Sequence, residues 1–368
     1  MKISNAITIL LTFGITAAVA YFVALKTEII YTYPDPFYLS AAEEAKRPVY
    51  QQLNSDEKAV YSSLLKGMEK QQGEIPLPYE ISGYMYEKLY CMLEKQESDM
   101  FFLDSSYYTA EKFRRATVIY REKDYDYTKE INALNEIRNR VSENIPQGDD
   151  YEKALYIHDY IVNNCRYIEE SDDTEYESTA YGCLVEGVAN CEGYAKAFDL
   201  LASDAGLQSI LVTGTTNDGK NHAWNQVNVN DNWYNIDVTW DDKEDGEIRW
   251  IYFLCDDDTF NRTHFRDVHY FTPFQCTENR DNFYIRNNLY AETPEQARDI
   301  FLARVADGEN AVRLRFSDSS SYNDFKSDYI NSKKIHSLIF GADASKTKDI
   351  KISLTENAKE NCMTIELL

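Results

Sequence analysis

Positive charge is scarce in this chain. Lys and Arg number 38 against 62 Asp and Glu, a formal net charge of −24 over 368 residues. An excess of that size repels phosphate backbones and argues against a nucleic-acid partner. The seven cysteines (Cys91, Cys165, Cys183, Cys191, Cys255, Cys276 and Cys362) form no paired CxxC knuckles, which speaks against structural zinc. Acidic clusters such as Asp172-Asp173 and Asp256-Asp257-Asp258 lack the spacing and the glycine of an EF-hand loop, so they read as solvated surface. There is no internal repeat and no low-complexity tract.

What is present is ordinary globular material, 43% hydrophobic and 27% charged, in a chain long enough for two or three domains. Residues 3–25 are uncharged and closed by Lys26, long enough to cross a bilayer. Ala18-Val19-Ala20 resembles a signal-peptidase site, but the apolar run continues past it through Tyr21-Phe22-Val23. Residues 1–28 are therefore expected to be an uncleaved anchor, with a cleaved signal as the alternative. Both place the rest of the chain outside the cytoplasm. There an odd number of cysteines leaves at least one thiol unpaired within the chain.

Pro34, Pro36 and Pro48 mark a linker over 29–50. Residues 51–148 read as mainly helical: Val60, Leu64 and Met68 share one helical face, as do Met85, Leu89 and Met92. Short strands are predicted at 101–103 and 116–120, then a helix through Ile131, Leu134, Ile137 and Val141. A core at 149–280 begins with a helix from Asp150 to Asn164, whose apolar face is Ala154, Ile157, His158 and Ile161. The stretch VANCEGYAKAF, 188–198, opens another helix with Asn190 as N-cap and Gly206 beyond its end. The period then changes to two, giving strands at 209–215, 222–229 and 233–239, the last two joined by Asn230-Asp231. The remaining 281–368 read as a small α+β unit. Strands are predicted at 283–285, 312–316, 337–339 and 350–354, and helices at 294–307 and 321–333.

Cys191 stands at the head of its helix, where unpaired N–H groups and the helix dipole favour a thiolate. His222, in NHAWN, and Asp237, in WYNIDVTWDD, lie on consecutive strands. If Asn230-Asp231 is a two-residue turn, facing residue numbers sum to 461. His222 and Asp237 then share a face as diagonal neighbours, about 7–8 Å apart at the backbone. A thiol, a base and an orienting carboxylate are the parts of a nucleophile-activating triad. Asp241 and Asp242 are rival carboxylates in the following loop. His158, beside Asp159, reads as a core histidine with a structural role. His264 and His269 lack a carboxylate pattern for a metal. Trp224, Trp233 and Trp240 read as sheet packing, with Trp224 or Trp240 as a candidate cleft wall.

These segments resemble the transglutaminase-like superfamily. CEGYAKAF is similar to its nucleophile helix, HAWN to its histidine segment and WYNIDVTWDD to its aspartate strand, in that order. IHDYIVNNCRY, 157–167, resembles the helix that precedes the core in bacterial members. The resemblance covers about residues 150–270, with a weaker likeness upstream through Tyr61, Leu64 and Phe101-Phe102. It implies an α+β, papain-like fold in which Cys191 is nucleophile, His222 general base and then acid, and Asp237 the group that orients the imidazole. It implies acyl transfer through a thioester on peptide or protein substrates, possible components of the cell envelope among them, with hydrolysis favoured over cross-linking. The mechanism needs no metal and no organic cofactor. The Cys191 N–H is the natural oxyanion donor, and Tyr181 is a candidate side-chain donor. The alternative is a non-catalytic surface module that keeps the fold; a disulfide-linked adhesion protein would require Cys191 to be bridged.

Overall fold

The computed structural model describes residues 16–23, 31–169, 175–242, 248–340 and 351–368. Most of the expected N-terminal anchor, 1–15 and 24–28, lies outside them. Among the described residues no helix is long and apolar enough to cross a membrane. The chain divides into two compact units. Of the described residues, one unit contains 50–94 and 102–125, together with those before 45. The other contains 45–49, 95–101 and 126–368.

In the first unit, helix α1 (Ser55–Glu69) starts from a capping box in which Asn54 accepts the N–H of Glu57 and the Glu57 carboxylate accepts that of Asn54. Its buried face includes Val60, Leu64 and Met68, as the spacing predicts. Strand β1 (Glu74–Ser82) pairs antiparallel with β2 (Lys112–Thr117), with a register shift between Pro76 and Ile81. Two prolines, Pro76 and Pro78, conceal β1 in the sequence, because proline cannot donate to a ladder. The expected strand at 101–103 is a turn; Leu103 and Tyr120 form only an isolated bridge. Helix α2 (Gly83–Gln96) ends with Lys95 and Gln96, which belong to the second unit.

The second unit is α+β, with helices packed on an antiparallel sheet, the fold class expected. Helices α3 (Thr128–Ser142) and α4 (Asp150–Asn164) precede a parallel pair, β3 (Arg166–Tyr167) with β4 (Val188–Ala189). Then come α5 (Cys191–Asp204), β5 (Ser209–Thr216), β6 (Asn221–Val229), β7 (Asn232–Ile236), a short helix α6 (Val238–Asp241), α7 (Asp257–Phe260) and β8 (His264–Arg266). The central sheet has the order β7-β6-β5-β8. Helix α5 lies on it, with Ala195 packed against Leu211 and Ala223.

The C-terminal part has its own core. A sheet of order β11-β12-β10-β9 is formed by β9 (Tyr290–Ala291), β10 (Ala311–Phe316), β11 (Ile352–Asn357) and β12 (Cys362–Leu367). Phe301, Leu314, Phe316, Phe325 and Ile365 fill its core. Two expected strands are helices here. Residues 283–285 belong to α8 (Phe283–Arg286), started by an Asn282 cap, and 337–339 to Lys334–Phe340. Short apolar runs fit either period, and at 283–285 the Asn282 cap decides.

Candidate active site

Helix α5 begins at Cys191 because Asn190, in extended conformation, takes the N–H groups of Glu192 and Gly193 on its side-chain oxygen at 3.0 and 3.2 Å. The Cys191 N–H is not one of the groups this cap takes. Gly193 permits the tight entry: a Cβ there would stand 2.4 Å from the Glu177 carbonyl oxygen. Cys191 is a free, half-buried thiol. The neighbouring Glu192 carboxylate would oppose a thiolate, but it is clamped by Lys95 at 2.7 Å and Lys196 at 2.8 Å. Burial alone would push Glu192 up; the two ammonium groups hold it near its charged form, at about 2.

The hairpin has the register the turn implies. Asn225 faces Ile236 and Val229 faces Asn232, and Asn230 and Asp231 both adopt the positive φ of a two-residue turn. The ladder stops three residues short of the expected 233–239, however. Strand β7 ends at Ile236, and Asp237 is the N-cap of α6, its Oδ1 accepting the Trp240 N–H at 3.1 Å. The capping carboxylate satisfies a helix terminus that a continued strand would not offer. Its other oxygen, Oδ2, receives His222 Nε2 at 2.8 Å.

Cys191 also lies close enough to act on the His222 imidazole. Burial alone would lower the imidazole, but the Asp237 carboxylate and Cys191 raise it to about 10. Burial alone would raise Asp237, which is 1% exposed, but the charge and N–H of His222, then His264, hold it below the usual range. Trp240 and Trp224 rings lie 5.5 and 6.2 Å from that of His222, so both wall the imidazole. Trp233 stacks on Phe274 instead.

The rival carboxylates are engaged elsewhere. Asp241 faces His158 Nε2 at 3.3 Å and accepts the N–H groups of Ile251 and Tyr252. Asp242 accepts the Tyr194 hydroxyl at 2.5 Å. The Tyr181 ring is stacked on Phe101, centroids 4.9 Å apart, and meets Tyr176 edge-on.

The sequence reading gave His264 no part here, yet its Nε2 lies 3.0 Å from Asp237 Oδ2. Donor atoms of His222, Asp237 and His264 fall within 4.8 Å of one another. Two ring nitrogens facing one carboxylate oxygen at 2.8 and 3.0 Å form a hydrogen-bonded set, which accounts for the cluster without a metal. No sequence signal ties His264 to Asp237, because the pairing of β8 with β5 brings them together.

Residues 139–238 match the transglutaminase-like superfamily. That interval includes helix α5 and the β6–β7 hairpin, so the core of the second unit is transglutaminase-like, of a thiol-enzyme class. No curated protein matches the chain. Among solved structures, a protein from Cytophaga hutchinsonii provisionally described as a cysteine protease is 18% identical, with 43% of this chain and 62% of that one covered and a TM-score of 0.27. A TGase is 20% identical, with 32% and 34% covered and a TM-score of 0.26. A protein from Parabacteroides distasonis, provisionally described as a protease, is 13% identical, with 36% and 30% covered and a TM-score of 0.22. This chain thus spans under two thirds of the length of each.

Proposed function

We propose that the protein is an extracytoplasmic thiol enzyme that cleaves or exchanges amide bonds in peptide or protein substrates, with Cys191 as nucleophile, His222 as base and acid, and Asp237 as the orienting carboxylate. One observation carries the reading: a half-buried thiol at a helix N-terminus lies beside an imidazole whose Nε2 is held 2.8 Å from a buried carboxylate. The sulfur attacks the amide carbonyl carbon, and the oxyanion is received by the Cys191 N–H. The imidazolium proton passes to the leaving amine and a thioester forms. Water or an amine then attacks the thioester, His222 takes its proton, and the sulfur leaves. Neither metal nor organic cofactor enters these steps.

The catalytic core is placed at 149–280, between a mainly helical region at 51–148 and a small domain at 281–368. Residues 1–28 would hold the protein at the membrane, or direct its secretion if cleaved. Substrates would then be peptides or proteins of the cell surface, with hydrolysis favoured over cross-linking. Iodoacetamide labelling at neutral pH tests the site. Cys191 is expected to react faster than an ordinary thiol and to slow in His222→Ala. A Cys191 that reacts as an ordinary thiol and ignores that substitution leaves a binding module. A glutamine peptide incubated with and without a primary amine then separates hydrolysis from transamidation.

A further inference from the structure

The ladders place two imidazoles on one face of the central sheet. His222 faces Gly214 across β5 and β6, and Thr216, two residues along from Gly214, faces His264 across β5 and β8. Directly opposed residues, and residues two apart, project on the same side. Between the two rings the sheet carries a glycine. A Cβ at Gly214 would stand 2.8 Å from the Trp224 ring and 2.2 Å from the Phe265 carbonyl oxygen. The bare position lets the rings approach to 5.5 Å between centroids, and both reach Asp237 Oδ2.

We propose that His264 is a positioning residue of the Cys191–His222–Asp237 relay: its Nε2–H donates to the Asp237 oxygen that also receives His222, and so keeps that carboxylate ionised and aimed. The inference rests on the function proposed above. Asp237 is 1% exposed, and the histidine that meets it sits in an aromatic box. The rings of Phe260, Trp240, Trp224 and Tyr252 lie 4.0–5.3 Å from that of His264. A carboxylate in such surroundings needs several donors to stay charged. It has three, from His222, His264 and the Trp240 backbone.

The far side of the ring fits that tautomer. Thr263 Oγ1 stands 2.9 Å from His264 Nδ1. A neutral ring whose hydrogen is on Nε2 accepts the threonine hydroxyl at Nδ1 and donates to Asp237. The titratable groups facing the relay are Cys191 beside His222, Asp241 acting on Asp237 from the end of α6, and the Tyr252 hydroxyl.

The test compares His264→Gln with His264→Asn, read as the Cys191 alkylation rate against pH alongside the melting temperature. Glutamine carries its amide nitrogen where Nε2 stood and reaches Asp237. Asparagine carries its amide at the Nδ1 position, beside Thr263, and falls short. Glutamine is expected to keep the wild-type profile. Asparagine is expected to slow alkylation at neutral pH about tenfold, the scale of one lost charge-assisted hydrogen bond, and to move the reactive limb to higher pH. A histidine that only fills space would lower the melting temperature and leave the pH profile in place. Equal profiles for Asn and Gln overturn the proposal.

Should His264→Asn not fold, Thr263→Val supplies the reading. It is expected to move the wild-type profile upward and to leave that of His264→Gln unmoved. An equal shift in both backgrounds overturns the proposal. Failure of the enzyme reading shows separately, as a wild-type Cys191 with ordinary reactivity that ignores His222→Ala.

Discussion

Asp237 and Asp241 stand at the two ends of one short helix, and each holds a buried histidine. His222 is 8% exposed and faces the thiol beyond its carboxylate. His158 is 0% exposed and faces a second carboxylate, Asp159, whose oxygen lies 2.9 Å from Nδ1 and also accepts the Trp250 indole. The His158 ring is raised to about 9: burial opposes the charge, but the hydrogen bonds and charges of Asp159 and Asp241 win. Both pairs are buried and both favour an imidazolium. Only one also has a thiol beside its ring. A buried histidine–aspartate pair is therefore no more a sign of catalysis than of a sealed ion cluster. The third group makes the difference.

The comparison breaks at four places, in falling order of effect. Cys191→Ser is expected to lower turnover by on the order of 10⁴ or more, while variants at Cys183, which is 1% exposed, leave turnover of the folded protein unchanged. Asp237→Asn is expected to cost roughly 10²–10⁴ in kcat, since the amide no longer stabilises the imidazolium. Asp241→Asn, assayed on its folded fraction, should stay within a few-fold of wild type. Equal losses in kcat would erase the distinction between the pairs.

Stability should show the reverse order. His158→Phe removes the imidazole shared by the Asp241 and Asp159 carboxylates, leaves the buried Asp241 only the Ile251 and Tyr252 N–H groups, and is expected to cost about 3–5 kcal/mol in urea unfolding. His222→Phe should cost less, because Asp237 keeps the donors from His264 and Trp240. The smallest effect is the pH dependence of stability. The folded His158 is raised from the usual 6.5 to about 9. Its contribution is then fully present below pH 6.5 and lost as pH rises through about 9, a change of roughly 3 kcal/mol at most. Unfolding free energies of wild type and His158→Gln should converge across that window; parallel curves would mean that His158 is not charged in the fold.

Much of the site's surroundings was legible in the chain. The Asn190 cap, the apolar face of α5 and the Asn230-Asp231 turn are local signals, and the turn fixes the β6–β7 register without any distant contact. Where local signals conflict, the reading failed. Pro76 and Pro78 hid an edge pair, and the apolar runs at 283–285 and 337–339 had no period long enough to separate strand from helix. Asp237 was legible as a residue but not as a cap. Leaving the ladder depends on the Trp240 N–H and on a backbone bond from Asp237 to the Tyr252 carbonyl.

The sequence by itself determined the residue types, their order and the hairpin that carries His222 toward Asp237, because turns, caps and period-two alternation act over a few residues. Tertiary structure decided which histidine meets which carboxylate. It put His264 on Asp237 and His158 on Asp241, and it brought Lys95 to Glu192. Those pairings join strands and helices separated by tens of residues. They form because a buried charge must find its donors wherever the packed elements bring them, and spacing along the chain carries no record of that.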